Sequence, residues 1–370
     1  MNTRAAALTS VVDRRRFITI ASAGIAAVGL HVRPSFAQTP AASDTAIDQI
    51  VSAADAFLDT LSEEERSTML FDWSDDEQKR NWSNFPAALD PRDGLMWGNL
   101  SEASQAAWLP VMQTTLSEDG YRRVTSAWTA DEILKNMEAN GEVPEGGPGG
   151  SGESDYGSDN FYVAFIGEPG TDSAWQWQFT GHHTTVNATI VNGRISLTPS
   201  FFGSQPTTYT DDDGEEVRPI GDMNDAAFTL INALDADQQA QAVVGSKRID
   251  LVSGPMVSEV VELAAEGVLI ADLTEEQQAL VTDLVSKYTG TLNDEHAVAR
   301  LAEVTDVYDQ TYFAWYGPTA WDSDAYWRVA GPTIIVEYSP QDQLTNDPRD
   351  HVHAIYRDPG NEYGIRYQNG

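Results

Sequence analysis

Trp175-Gln176-Trp177-Gln178-Phe179 alternates aromatic and polar side chains, and Gly181-His182-His183-Thr184-Thr185-Val186-Asn187 follows it. Ala188 to Val191 and Arg194 to Leu197 then flank Asn192-Gly193. Alternation with period two marks a strand with one face toward a core. Asn-Gly between two such runs is the strongest short-range hairpin signal, because both residues tolerate positive φ. Residues 175–197 therefore predict antiparallel pairing, and they carry two of the six histidines in the chain.

Working outward, Phe161 to Ile166 adds a short aromatic and aliphatic strand, preceded by a Gly-rich loop over residues 141–160 that includes Gly146-Gly147-Pro148-Gly149-Gly150. Before that loop, Ile47, Ile50, Val51, Ala54, Phe57, Leu58 and Leu61 recur at three- and four-residue spacing, and helical patterning continues to Met137. A second helical block runs from about Asp222 to Val307. A second strand block follows, at Tyr312 to Tyr316, Tyr326 to Ala330, Thr333 to Tyr338 and Val352 to Tyr356. Four helix starts share one form, at Leu61-Ser62, Leu100-Ser101, Leu234-Asp235 and Leu273-Thr274, each followed by acids. Recurrent N-cap chemistry alone explains this likeness. Neither strand block is long enough to close a separate core. The expectation is an α+β fold: a single domain, with one mainly antiparallel sheet built from two strand blocks and two helical blocks packed on it.

The N-terminus carries a different signal. Arg14-Arg15-Arg16-Phe17-Ile18 leads into a weakly apolar run to Leu30, and Ser35-Phe36-Ala37 supplies small residues at a cleavage site. Residues 1–37 thus read as a twin-arginine signal peptide, residues 38–46 as a flexible lead-in and residues 47–367 as the domain. The apolar run is too short to span a bilayer, which takes about 20 residues. The expected location is periplasmic or secreted, with no membrane insertion of the mature chain.

Net charge is −35, and the signal segment holds Arg4, Arg14, Arg15, Arg16 and Arg33 against Asp13, so the processed chain is more acidic still. Such a balance argues against nucleic acid as a partner, because it too is a polyanion. Cysteine is absent. That excludes thiolate nucleophiles, thiolate metal sites and disulfides, and leaves His, Asp and Glu to hold any metal.

Outside the signal segment there are five histidines, and four fall in two clusters inside the strand blocks: His182-His183 and His351-Val352-His353. Residues two apart in a strand share a face with Cβ atoms about 6–7 Å apart, a spacing suited to chelation. Adjacent residues face opposite ways, so one of His182 and His183 is expected to join the same centre, unless Gly181 bulges the strand and turns both inward. Val186 and Ile190 share the parity of His182, which gives His183 the polar side if the apolar face is the core. Glu337, in the apolar strand Ile334-Ile335-Val336-Glu337-Tyr338, needs a cation, a metal or a histidine to be buried. These residues outline a three- or four-ligand site for a divalent transition metal, zinc, copper or iron. Glu337 would serve as ligand or general base, and Arg357 as an anchor for an anionic substrate. His296, in Asp294-Glu295-His296, reads as a surface helix residue. Trp175, Trp177, Trp315, Trp321 and Trp327 could stack on sugars, although core packing is the more ordinary role.

The function expected from these residues is that of an exported metal-dependent enzyme, hydrolytic or oxidative, acting on a small-molecule, glycan or peptide substrate. The alternative is a non-catalytic binding protein for a glycan or peptide. Trp82-Ser83-Asn84-Phe85-Pro86, Gly181-His182-His183, Thr198-Pro199-Ser200-Phe201-Phe202-Gly203, Gly331-Pro332-Thr333-Ile334 and His351-Val352-His353-Ala354-Ile355-Tyr356-Arg357-Asp358-Pro359 resemble the family known as domain of unknown function 3500. The likeness spans about residues 47–367. It implies one full-length domain and brings no activity with it.

Overall fold

The structure is a computed structural model that describes residues 44–142, 156–255, 263, 265–341 and 347–368. The twin-arginine segment, most of the lead-in and residues 143–155 of the Gly-rich loop lie outside the described residues.

Two runs of elements follow the same order. The first holds α1 (Asp44–Leu58), α2 (Glu63–Met69), β1 (Leu70–Phe71), α3 (Asp76–Lys79), β2 (Leu95–Met96), α4 (Glu102–Thr115) and α5 (Glu118–Ala139). It continues with β3 (Tyr162–Ile166), β4 (Trp175–Thr180), β5 (Thr184–Val191), β6 (Arg194–Ser196) and β7 (Ser200–Ser204). A small hairpin, β8 (Tyr209–Thr210) and β9 (Glu216–Val217), stands apart from the main sheet. The second run holds α6 (Gly221–Ala233), α7 (Ala236–Ala242), β10 (Val243–Gly245), β11 (Val268–Leu269), α8 (Glu275–Thr289) and α9 (Asp294–Thr305). Then come β12 (Tyr312–Tyr316), β13 (Tyr326–Ala330), β14 (Ile335–Pro340), β15 (Val352–Arg357) and α10 (Ile365–Gln368).

The strands form one mixed sheet, mostly antiparallel, in the order β1-β3-β4-β5-β7-β15-β14-β13-β12-β10. That order reads the same from either end, once each strand of the first run is matched to its counterpart in the second. Both outermost pairs, β1 with β3 and β10 with β12, are parallel. Registers match as well: Tyr162 faces Thr180 as Tyr312 faces Ala330, and Gln178 faces Asn187 as Arg328 faces Glu337. The helix starts repeat too, Ser62 and Asp235 both closing capping boxes. At the centre, Ser117 N–H donates to the Thr291 carbonyl and Asn293 N–H to the Thr115 carbonyl, each at 3.1 Å. The chain is thus an internal pseudo-two-fold, with its seam between β7 and β15. Capping chemistry alone, which sufficed to explain the four helix starts as sequence, does not account for matched strand registers.

Each face of the sheet has its own character. Trp175, Trp177, Phe179, Val186, Phe202, Val336, Val329, Trp327 and Trp315 lie on one face, fully covered. Trp177 meets Trp108 of α4 edge-on at 5.9 Å, and its counterpart Trp327 meets Tyr288 of α8 at 6.3 Å. Burying each large side chain contributes about 1.5–3 kcal/mol, so this face dominates the stability of the fold. The opposite face is polar and still buried. It presents Gln176, Gln178, Asn187, His353, Arg357, Glu337 and Arg328. Segments 78–92 and 248–253 cover it and answer its polar groups: Gln78 Nε2 donates to Gln178 Oε1 at 3.0 Å, and Val252 N–H to Glu337 Oε2 at 2.7 Å. Buried polar groups need such partners.

Two boundaries differ from expectation. Helix α1 opens at Asp44, inside the stretch expected to be a lead-in, because the turn before Ile47 carries no apolar position to announce it. Strand β7 had no signal of its own. All five of its residues are buried on both faces, so polar and apolar side chains do not alternate along it.

Candidate metal centre

The turn between β4 and β5 delivers the first pair of histidines. Gly181 N–H closes it by donating to the Thr184 carbonyl at 2.8 Å, and a Cβ at Gly181 would sit 2.5 Å from the Phe161 ring. Arg92 braces the turn from below, donating to the carbonyls of Gly181 at 3.1 Å, Ser83 at 2.7 Å and Phe85 at 2.6 Å. Burial pushes its guanidinium down to about 10. His182 and His183 lie between strands rather than in one, so the alternation rule does not separate them. Their ring centroids lie 3.7 Å apart, with the planes inclined by 32°.

His183 is then carried onto the seam. Gly203 N–H of β7 donates to the His183 carbonyl at 2.6 Å. The imidazole lies over Gly203 so closely that a Cβ there would stand 2.8 Å from His183 Cδ2. Across the seam Gly203 faces His353. The start of β15 therefore brings His351 and His353 to the same place from the other half of the chain.

Three nitrogens converge. His183 Nε2 is 2.9 Å from His351 Nε2, which is 3.0 Å from His353 Nε2. The rings are inclined by 65° and 89° in these two pairs, and their exposures are 0%, 2% and 4%. Burial first, and the neighbouring histidines second, hold His183 and His353 well below the usual imidazole range, so both are neutral. A neutral imidazole nitrogen offers either one proton or one lone pair. Three Nε2 atoms this close cannot all be satisfied by one another: His351 Nε2 can donate to only one neighbour. A cation accepts all three lone pairs at once. Nitrogens around a tetrahedral ion at about 2.0–2.1 Å stand about 3.3 Å apart, so the rings need part by only a few tenths of an ångström.

Asp131 of α5 is the residue that the sequence did not disclose. It is 1% exposed; its Oδ1 lies 3.0 Å from His182 Nδ1 and 3.6 Å from His183 Nδ1, and Oδ2 accepts from Gly157 N–H at 2.9 Å. Asp131, His182 and His183 form a second group of possible ligand atoms, sharing His183 with the first. One aspartate among 57 acidic residues carries no sequence signal, since only the packing of α5 on the β4–β5 turn selects it.

Other expected site residues are engaged elsewhere. Glu337 belongs to neither group of possible ligands. Its carboxylate accepts from Val252 N–H at 2.7 Å, Ser253 N–H at 2.8 Å and Tyr326 Oη at 2.6 Å. Arg357 donates to Glu362 through Nε and Nη2 and to the Ser253 carbonyl through Nη1. The two side chains together hold segment 249–253 on the polar face. Arg357 and Asp358 are each 1% exposed and pair with Glu362 and Arg300. His296 is 9% exposed, with Nδ1 2.7 Å from Asn293 Oδ1, and so is covered rather than superficial. Of the five tryptophans, Trp175, Trp177, Trp315 and Trp327 are wholly buried, and Trp321 is 59% exposed.

Residues 43–365 match the family described as Protein of unknown function (DUF3500). The chain belongs to the DUF3500 family. No curated protein and no solved structure matches it. The match runs across both halves of the pseudo-two-fold, so this DUF3500 chain holds the whole sheet and both histidine segments within the family region. Among the described residues, no helix is long and apolar enough to cross a membrane.

Proposed function

We propose that this chain is an exported metal-dependent enzyme in which His183, His351 and His353 hold a divalent transition ion, zinc, copper or iron, through Nε2. The observation that carries the reading is the convergence of three buried Nε2 atoms at 2.9 and 3.0 Å. Three imidazoles leave one coordination position for water or substrate, the arrangement of catalytic rather than structural sites. With zinc, the ion would polarise a carbonyl or phosphoryl oxygen or lower the pKa of water for hydrolysis. With copper or iron it would support oxidation. Rings exposed by 4% at most favour a small molecule over a long glycan or peptide. Four of the five tryptophans offered for sugar stacking are inaccessible, which weighs against the binding-protein reading.

Asp131 supports the same site. A carboxylate beside the imidazoles favours a cation and fixes which nitrogen bears the proton. Asp131→Asn keeps the shape and removes the charge, and should weaken binding of the ion about 10–100-fold, read by competition with a chromophoric chelator. An unchanged affinity would remove Asp131 from the site.

Export and metal content are tested together by recovering untagged protein from the extracytoplasmic fraction of its native host. The expected result is an N-terminus at Gln38 and one equivalent of a transition metal by elemental analysis. Protein retained in the cytoplasm with residues 1–37 attached would refute export. Protein that takes up no zinc, copper or iron on reconstitution would refute the metal reading.

A further inference from the structure

His183 has a second nitrogen that the three-imidazole site does not use. Its Nε2 meets His351, which leaves Nδ1 on the other side of the same ring. That Nδ1 is fully buried and, among the described residues, has no hydrogen-bond partner. It faces Asp131 of α5, whose Oδ1 stands at 3.6 Å, beyond hydrogen-bond reach. The same Oδ1 lies 3.0 Å from His182 Nδ1. Gly157 N–H engages the other carboxylate oxygen at 2.9 Å, and so helps to fix the carboxylate in this orientation. Ligand atoms of Asp131, His182 and His183 all lie within 4.8 Å of one another. Two donors on one tetrahedral ion stand about 3.3 Å apart, and the separations of 3.0 and 3.6 Å bracket that value. A hydrogen bond between Asp131 and His182 satisfies those two side chains and leaves His183 Nδ1 unanswered. A buried polar atom without a partner is destabilising, and an ion beside Oδ1 would answer all three donors at once.

Resting on the metal reading above, we infer that Asp131 Oδ1, His182 Nδ1 and His183 Nδ1 form a second ion site, joined to the first through the His183 ring. With one ion on Nε2, His183 carries its proton on Nδ1. The second ion takes the place of that proton, which passes to solvent. Two imidazoles and a carboxylate suit zinc or copper. This site is the weaker of the two, for two reasons. The rings of His182 and His183 lie 3.7 Å apart with planes inclined by 32°, so an ion bonded to both Nδ1 atoms sits out of plane, away from their lone pairs. Bonds of about 2.0–2.1 Å at each end of one imidazole also set the two ions about 6 Å apart, where like charges repel. The first site therefore fills at one equivalent, and the second fills only with metal in excess, with an affinity lower by about 10-fold or more.

The test adds Cu²⁺ stepwise to untagged, metal-free protein and follows it by electron paramagnetic resonance. A bare count of ions does not decide, because a chain with 57 acidic residues also takes up excess copper at its surface. The first equivalent should give the signal of one isolated Cu²⁺ with nitrogen ligands. Excess Cu²⁺ should then diminish that signal, because a shared imidazole couples the two spins. His182→Phe keeps a ring against Tyr156 and removes the nitrogens, whereas Asp131→Asn keeps the shape and removes the charge. At saturating Cu²⁺ both variants should hold the first ion and show no coupling. The first-site affinity of His182→Phe should stay within about 3-fold of the parent's. In the parent, a second signal that merely adds to the first would overturn the inference and leave the three-imidazole site standing. Coupling that survives in both variants would overturn it as well. A parent that holds no copper at the three Nε2 atoms would refute the metal reading, and this inference with it.

Discussion

His351→Ala and His353→Ala together are expected to abolish stoichiometric metal binding and leave the fold standing. Both side chains present Nε2 to the same point, and of this group their loss leaves only His183. Structural four-ligand zinc sites bind with about 10–16 kcal/mol, or about 2.5–4 kcal/mol for each ligand. Removing two of three ligands therefore weakens binding by about 10⁴-fold or more. The cost in stability is far smaller. Neither change strips the apolar face, because His353 lies on the polar side with Arg357 and Gly203. Far-ultraviolet circular dichroism and the melting temperature of the metal-free variant should stay close to those of the parent. His296→Ala, in helix α9, is the control and should retain the ion. Full metal occupancy in the double variant would sink the assignment of these ligands.

Arg300→Ala is expected to do the reverse, unfolding the protein more easily without touching the metal. Arg300 Nε donates to Tyr356 Oη at 3.0 Å and Nη1 to Glu303 at 3.0 Å; Nη2 donates to the Thr333 carbonyl and lies 3.1 Å from Asp358 Oδ2. Thr333 is the counterpart of His183 in the second run of the chain, so the fold fills that end of the pseudo-two-fold with an ion-pair cluster. Removing the cation leaves Asp358, which is 1% exposed, with the more distant Arg366 Nη2 at 3.8 Å as its remaining cation among the described residues. Breaking a buried pair from one side costs about 3–5 kcal/mol, whereas Arg300→Met with Asp358→Leu should recover most of that loss. Burial already raises the Asp358 carboxyl above its usual 3.8, and Arg300 opposes that rise. A carboxyl raised in the folded state stabilises most below its unfolded value and loses that contribution as pH climbs through the folded value. The deficit of Arg300→Ala should therefore be largest near neutrality and narrow toward pH 4. Urea unfolding at two pH values measures both effects, and a deficit below about 1 kcal/mol at neutral pH would contradict this account of the cluster.

The two predictions also show what the sequence could disclose. Periodicity located the helices of both blocks. The Asn192-Gly193 turn is as its dipeptide requires, with φ of 50° and 70°. The strand pattern of Trp175, Trp177 and Phe179 identified the core face directly. Those signals are local, and local chemistry writes them. The duplication was present in four similar helix starts, yet capping explains each start separately; only matched registers across the sheet establish the repeat. The two-residue spacing of His351 and His353 predicted that their side chains share a face at the start of β15, and their Nε2 atoms lie 3.0 Å apart. At His182 and His183 the chain turns and the period lapses. Glu337 was legible as a buried carboxylate in need of partners. That those partners are backbone N–H groups of segment 249–253 and the Tyr326 hydroxyl depends on a chain segment more than 80 residues away in sequence. Asp131 had no signal at all, because it matters only through what tertiary packing sets beside it.

One measurement bears on the central claim more directly than any substitution. Crystals of the untagged protein grown with the ion present, and recorded at the absorption edge of that metal, locate it by anomalous scattering. The account predicts one strong peak at about 2.0–2.2 Å from the Nε2 atoms of His183, His351 and His353 together. A fully loaded protein whose ion lies elsewhere, beyond bonding distance of those three imidazoles, would contradict it.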